Sequence, residues 1–362
     1  MKKVICAVAA FAMIAGVATV ASAKVDLSGD GRFRLQMKDM TGDADYAKWD
    51  SRFRIVAKGN TESGVYGLAR IQILSSTFDN SGLYSNSGRG DNNIWADQAY
   101  VGFKKGAYNV SAGRQPNNFT KWFRYDERSD RFKAVYKANG TVLAYTYDQK
   151  RETTTADEDK YVHGITYKQK LSDSMNMGVR AVYVMDDMLA DRDGAKGSAY
   201  LRMNLGGNKI AVEQAYIQGD ILGAGHDDAY GGYASWSASF GSVTPTVMVG
   251  YTMDGYKVDD DFGWIMIGAA WGITEYKQVG QGGDTVFVGG SADVALSEQL
   301  TLQGNLVYMD VDDLSKGDVY EISGKLSYEV VKGANLSFKL GYLDYSEVDE
   351  VVNGVFRLDV GF

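Results

Sequence analysis

From Lys24 to Phe362 the chain alternates apolar and polar side chains in segment after segment, and this two-residue period constrains its fold more than any other feature. In the first segment Val25, Leu27, Phe33, Leu35 and Met37 fall on one face, against Asp26, Ser28, Asp30, Arg32, Arg34, Gln36 and Lys38. Trp49, Phe53, Ile55 and Ala57 oppose Asp50, Arg52, Arg54 and Lys58 in the next. Near the far end, Leu336, Phe338, Leu340 and Tyr342 oppose Ser337 and Lys339. Successive side chains of a strand point to opposite faces, so each segment reads as a strand with one apolar and one polar side. No stretch of helical period competes. No apolar run after residue 23 approaches the ~20 residues of a membrane helix. Buried parallel strands would be apolar on both faces instead.

Strands of this kind, repeated along a whole chain, are the pattern of an all-β transmembrane antiparallel β-barrel, with lipid outside and water inside. Hydrocarbon tolerates no open sheet edge, so the strands must close on themselves. Tight turns at Asn60–Gly64, Lys105–Ala107, Ala138–Gly140, Leu205–Lys209, Gly241–Thr244 and Ser297–Gln299 alternate with longer, acidic connections such as Ser76–Asn93 and Asp186–Gly197. Thirteen strand segments precede Asp254 and five follow Asp284. The stretch Phe262–Val279 decides the number. As an elaborated loop it leaves 18 strands, and as two strands it makes 20. We expect 18, within a range of 16 to 20, and any of these encloses a water-filled lumen.

Residues 1–23 read as a cleaved secretory signal peptide. Met1-Lys2-Lys3 is a basic start, Val4–Val20 is apolar and Ala-rich, and Ala21-Ser22-Ala23 is a small-x-small cleavage site. Residues 24–362 then form one barrel domain. Cys6, the only cysteine, leaves with the signal, which excludes cysteine ligands and cysteine catalysis in the mature chain. Lys2 and Lys3 leave too, so 36 basic side chains face 46 acidic ones, a formal charge of −10 that argues against nucleic acid as a partner. His163 and His226 are the only histidines, and neither stands in a pattern that would assemble a nucleophilic triad, so no enzyme is expected. The acidic clusters Asp186-Asp187, Asp259-Asp260-Asp261 and Asp310-x-Asp312-Asp313 match no dedicated calcium loop. They read as solvated outer surface facing lipopolysaccharide, and no cofactor or metal site is expected. Tryptophans 49, 95, 122, 236, 264 and 271 read as interfacial girdles rather than as a sugar slide.

One stretch carries a resemblance. Gln98-Ala-Tyr-Val-Gly-Phe103, a turn at Lys105-Gly-Ala107, and Ala112-Gly-Arg-Gln115 resemble the strand pair that precedes the constriction loop of trimeric Gram-negative outer-membrane porins. The irregular, charge-dense run that follows, about residues 115–130, would be the loop folded into the pore. The acidic-aromatic-glycine tip of enterobacterial porins is absent, and Pro116-Asn-Asn-Phe119 stands near the start instead. The resemblance implies a homotrimer in the cell outer membrane, and by itself it favours 16 strands. The last segment, with Phe356, Leu358, Val360 and Phe362 on one face, resembles the terminal strand that the barrel insertion machinery reads in porins, with Phe362 as the assembly signal.

Function then rests on the polar face. Arg32, Arg34, Arg52, Arg54 and Arg70 fall on the inner side of three adjacent strands, and Arg114 stands at the start of the long loop. Arginine is charged at any physiological pH, so these side chains would form a ladder on one wall. The loop adds Lys121, Arg124, Arg128 and Arg131, with Asp126, Glu127 and Asp130, and acids facing the ladder would set up a transverse field. The expected function is passive diffusion of small hydrophilic solutes and ions through a charged constriction, with anion preference or near-neutral selectivity despite the acidic total. A barrel serving as an outer-membrane docking platform, and a solute-specific uptake channel, are the alternatives.

Overall fold

The alternating segments become strands that hydrogen-bond to both neighbours, in a computed structural model that describes residues 24–40, 46–78, 94–151, 159–186, 192–223, 226–260, 262–268, 278–312, 318–345 and 350–362. The wall runs through β1 (Lys24–Met40), β2 (Tyr46–Asn60), β3 (Val65–Phe78), β4 (Trp95–Lys105), β5 (Tyr108–Pro116) and β6 (Arg128–Ala138). It continues with β7 (Thr141–Arg151), β8 (Lys160–Ser172), β9 (Met175–Asp186), β10 (Gly194–Leu205), β11 (Asn208–Ile217) and β12 (Ala229–Ala238). The last six are β13 (Val243–Met253), β14 (Thr285–Ala295), β15 (Leu300–Val311), β16 (Val319–Val331), β17 (Ala334–Tyr345) and β18 (Glu350–Gly361). A single helical turn, α1 (Gly219–Leu222), lies between β11 and β12.

All 18 strands belong to one antiparallel sheet in which each pairs with its sequence neighbours and β1 also pairs with β18, so no edge is left. The expected number holds because the connection between β13 and β14 is not strand in any described residue. Residues 1–23 and Trp271 lie outside the described residues. Closure is made at the C-terminus. The Gly29 amide donates to the Phe362 carbonyl at 2.8 Å, and the Phe362 amide donates back to the Gly29 carbonyl at 3.1 Å. The Phe362 ring stacks on Phe53 at 5.7 Å and fills the space above Gly29, where a Cβ would stand 2.5 Å from it.

Apolar side chains such as Leu27, Val101, Ile165, Val286, Leu306 and Ile322 point outward and are exposed, as a lipid-facing surface requires. Aromatic pairs, Tyr108–Tyr136 beside the short turns and Tyr308–Tyr320 towards the long connections, band that surface. Trp122 and Trp264 do not join the bands, contrary to the sequence expectation. Trp122 is fully buried inside the barrel, and Trp264 packs against the same internal cluster.

The interior is not uniformly polar. Tyr233, Phe287, Val307, Met309, Val319, Leu343 and Val351 make the inner wall apolar between β12 and β18. Apolar inner wall in water is unfavourable, and two segments cover it: the β5–β6 connection and the described part of the β13–β14 connection.

Candidate functional site

On β1, β2 and β3 the alternation turns Arg32, Arg34, Arg52, Arg54 and Arg70 into the lumen. Register sets Arg32 directly opposite Arg52, Asp30 opposite Arg54 and Arg34 opposite Asp50. Like charges face to face are unfavourable, and carboxylates on the same strands relieve them. Asp50 accepts from Arg32 at 3.1 Å and also from Arg34. Asp30 accepts two bonds from Arg54 Nε, at 2.9 and 3.0 Å, and lies 3.5 Å from Arg52. Asp97, the extra residue where the β3–β4 register shifts, pairs with Arg70 and, at 3.0 Å, with Arg128.

These partners differ from the ones expected. The loop acids are not aimed at the arginine wall. Glu127 pairs with Arg124, and Asp126 pairs with Arg128 at 2.7 Å. Arg114 and Asp130 are not in the lumen at all. On β5 the buried Ser111 and Gln115 alternate inward, which puts Arg114 on the outer face beside Asp130, 3.3 Å away, with side chains 45% and 63% exposed. The reason is register: Arg70 pairs with the inward Gln98, and Arg114 pairs with the next residue, Ala99, which alternation turns outward.

The β5–β6 connection is held inside the barrel by buried polar bonds. Asn117 donates to Ser129 and Asp148, both at 3.2 Å, and accepts from Arg180 at 2.9 Å. Arg131 forms a fork on Asp148, at 2.7 and 2.6 Å, and reaches the Pro116 carbonyl at 3.3 Å. It therefore anchors the root of the loop and does not face the opening; its side chain is 1% exposed. Thr120 donates to Glu213 across the barrel at 2.5 Å, and Ser198 donates to the same oxygen at 2.6 Å. Burial pushes the Arg124 guanidinium down to about 10, so it is still charged at neutral pH. Lys121 stays exposed, with its ammonium 5.5 Å above the Tyr125 ring.

Trp122 joins this loop to the second segment. Its ring meets Phe262 edge-on at 4.7 Å, Tyr233 at 5.0 Å and Tyr256 at 6.0 Å. Its carbonyl accepts from the Tyr256 hydroxyl at 3.2 Å and the Asp259 amide at 3.4 Å, while Asp259 accepts from the Tyr125 amide at 2.8 Å. The second segment is pinned to β16 by one carboxylate. Glu321 accepts the amides of Ile265 and Met266, each at 3.1 Å, of Ile267 at 2.8 Å, and the Ser323 hydroxyl at 2.5 Å. Inner-wall glycines receive its large side chains: a Cβ on Gly231, Gly289 or Gly341 would collide with Tyr256, Trp264 or Met266 respectively. Sequence reasoning missed Glu213, Glu321 and this docking. The available signals were non-alternating Ile265-Met266-Ile267 and glycines at inward positions of otherwise regular strands.

The described parts of the two segments thus pack on the apolar inner wall and over β7–β11, and not over β1–β3. A family model of Gram-negative porins matches residues 7–348. The chain belongs to the Gram-negative porins. Solved outer-membrane structures from Pseudomonas aeruginosa share its barrel at low identity. OpdQ gives a TM-score of 0.72 at 12% identity, over 94% of this chain and 99% of that one. OccK5 (OpdH) gives 0.68 at 10%, over 94% and 98%, and OpdK with vanillate gives 0.67 at 11%, over 93% and 98%. Identities this low speak for the fold alone. No match among curated proteins reaches significance. This porin is an outer-membrane channel for small solutes, and its family consists of channels rather than enzymes.

Proposed function

We propose that this porin passes small hydrophilic solutes by diffusion through one narrowed opening, and that the opening favours anions. The observation that carries the reading is the charge balance on the arginine wall. Five inward arginines on β1–β3 share three aspartates, Asp30, Asp50 and Asp97. Fixed charge beside a narrow aqueous path with low-dielectric walls acts on each passing ion. Carboxylates on the outer connections are screened within about 8–10 Å at physiological salt, so the total of −10 is a poor guide to selectivity. Replacing Arg52 and Arg54 together by glutamine takes the wall to three arginines against three aspartates. The zero-current potential in a salt gradient should move towards cation preference, with the barrel folded. An unmoved potential in a folded variant would overturn the reading.

A solute-specific uptake channel is the second reading. The interlocking of the two interior segments through Trp122 favours it, because a rigid opening selects by shape. OpdK, a barrel of the same fold, has been crystallised with vanillate, a carboxylate. Competition of a candidate solute with single-channel current separates this from unselective diffusion. The same proposal includes a signal peptide at 1–23, a barrel domain at 24–362, insertion through the machinery that reads Phe362, contact with lipopolysaccharide, and a homotrimer. Migration as a lone monomer on a native gel in mild detergent would exclude the homotrimer.

A further inference from the structure

A second group of inward cations lies on the opposite wall. Lys133 on β6, Lys168 on β8, Arg180 on β9 and Arg202 on β10 form no ion pair with any described carboxylate. Register places Arg180 opposite Thr166, and Lys168 opposite Gly178, which in turn faces Tyr200. Arg202 follows one inward position further towards the short β10–β11 turn. Diagonal neighbours on a sheet stand roughly 7–8 Å apart, which sets the step from Arg180 to Lys168. Arg202 lies two strand spacings and two residues beyond Lys168, about 12 Å between backbones.

The β5–β6 loop roofs this group. Arg180, 5% exposed, gives one guanidinium nitrogen to Asn117 at 2.9 Å and another to Thr166 at 3.3 Å, while its buried Nε has no partner. Lys168 sits 5.2 Å from the Phe119 ring, Arg202 lies 4.6 Å over Tyr200, and the two rings are 5.5 Å apart. Glu213 is close by on β11, but its bonded oxygen is taken by Thr120 and Ser198 and it makes no ion pair with Arg202. Short turns mark the periplasmic rim of an outer-membrane barrel, so the group lies on the periplasmic side of the constriction.

We propose that Lys133, Lys168, Arg180 and Arg202 form an anion subsite on the periplasmic side of the constriction, for solutes that carry two or more negative charges, such as phosphate esters or dicarboxylates. It deepens the channel reading above and rests on it. On the arginine wall carboxylates are ion-paired with the cations, whereas here Asp148 and Glu213 stand nearby without an ion pair to any of the four, among the described residues. One carboxylate engages one cation of the descending file. A polyvalent anion spans two and dwells longer.

Inorganic pyrophosphate is the probe. Added to either chamber, it should interrupt chloride current through single channels in a planar bilayer, and more strongly from the short-turn side. Across water at about 4 Å one cation contributes about five-fold to binding, so Lys168→Gln with Arg202→Gln should weaken block from that side at least roughly 25-fold. Block from the other side should change less than two-fold. Block from the other side serves as the control for the width of the opening. Should the double variant fail to fold, Lys133→Gln should weaken block about five-fold. Block unchanged in the variants, or weakened equally from both sides, overturns the subsite while leaving the channel reading in place. A wild-type barrel that carries no current overturns both.

Discussion

Trp122→Ala is the most informative single change, because one side chain holds both interior segments. The ring is fully buried against Tyr233, Tyr256, Phe262 and Phe287, and its indole N–H donates to the Gly231 carbonyl at 3.4 Å. Truncating a buried tryptophan costs about 3–5 kcal/mol. None of that falls on the barrel wall, whose strands are bonded to each other independently of the loop. The loss is borne by the seating of the two segments. At 1.4 kcal/mol per factor of ten, it raises the ratio of unseated to seated states by roughly 10² to 4 × 10³. Thr120–Glu213, Asn117–Asp148 and the Glu321 cluster remain, so the segments should loosen rather than leave. Single-channel recordings should show larger mean conductance and added current noise, with anion preference reduced. Gel heat-modifiability should match the wild type. Trp122→Phe keeps a ring against Phe262 and should fall between the two. Wild-type conductance and noise in a folded Trp122→Ala protein would refute the claim that this contact sets the opening.

Glu321→Gln keeps the shape but cannot accept from three amides and a hydroxyl as a carboxylate does, so the inner segment should lose about 2–3 kcal/mol of anchoring. Faster proteolysis within residues 262–268 of intact barrels checks this, and wild-type protection would contradict it. Arg124 loses its charge as pH rises through about 10, below the range of an ordinary guanidinium, so anion preference should start to fall there. Reversal potentials flat between pH 9 and 11 would show that Arg124 does not act on the permeating ion. Deleting Phe362 removes its stack on Phe53 and both backbone bonds to Gly29. Unfolded protein should accumulate in the periplasm, and a normal heat-modifiable barrel would refute the assembly role.

Register explains where site prediction failed. Arg32, Arg34, Arg52, Arg54 and Arg70 stand on the inner face, where the two-residue period of their strands expects them. Arg114 lies on the outer face because β5 runs on to Pro116 with Ser111 and Gln115 inward, whereas the sequence reading set it at the start of the loop. The acids that pair with the ladder were visible on the polar faces of β1 and β2. Their partners were not, since opposition across strands depends on stagger and not on spacing along the chain.

The amino-acid order alone determined the closed antiparallel barrel, its lipid-facing exterior and its charged inner face, and it left the strand number between 16 and 20. Each follows from short-range facts: alternation every second residue, turns of fixed chemistry, and the intolerance of hydrocarbon for an open edge. Which part of the lumen stays open was decided only by tertiary structure. Trp122, Glu213, Glu321 and the glycine pits at 231, 289 and 341 are far apart in the chain, and none carries a periodic signal. They act together because closing the sheet brings β11, β12, β14, β16 and β17 around the same space, where two loops find an apolar wall to cover. The cation group on β6–β10 has the same origin. Among the described residues its cations make no ion pair, a relation set by the stagger of the strands that exists only once the barrel has closed.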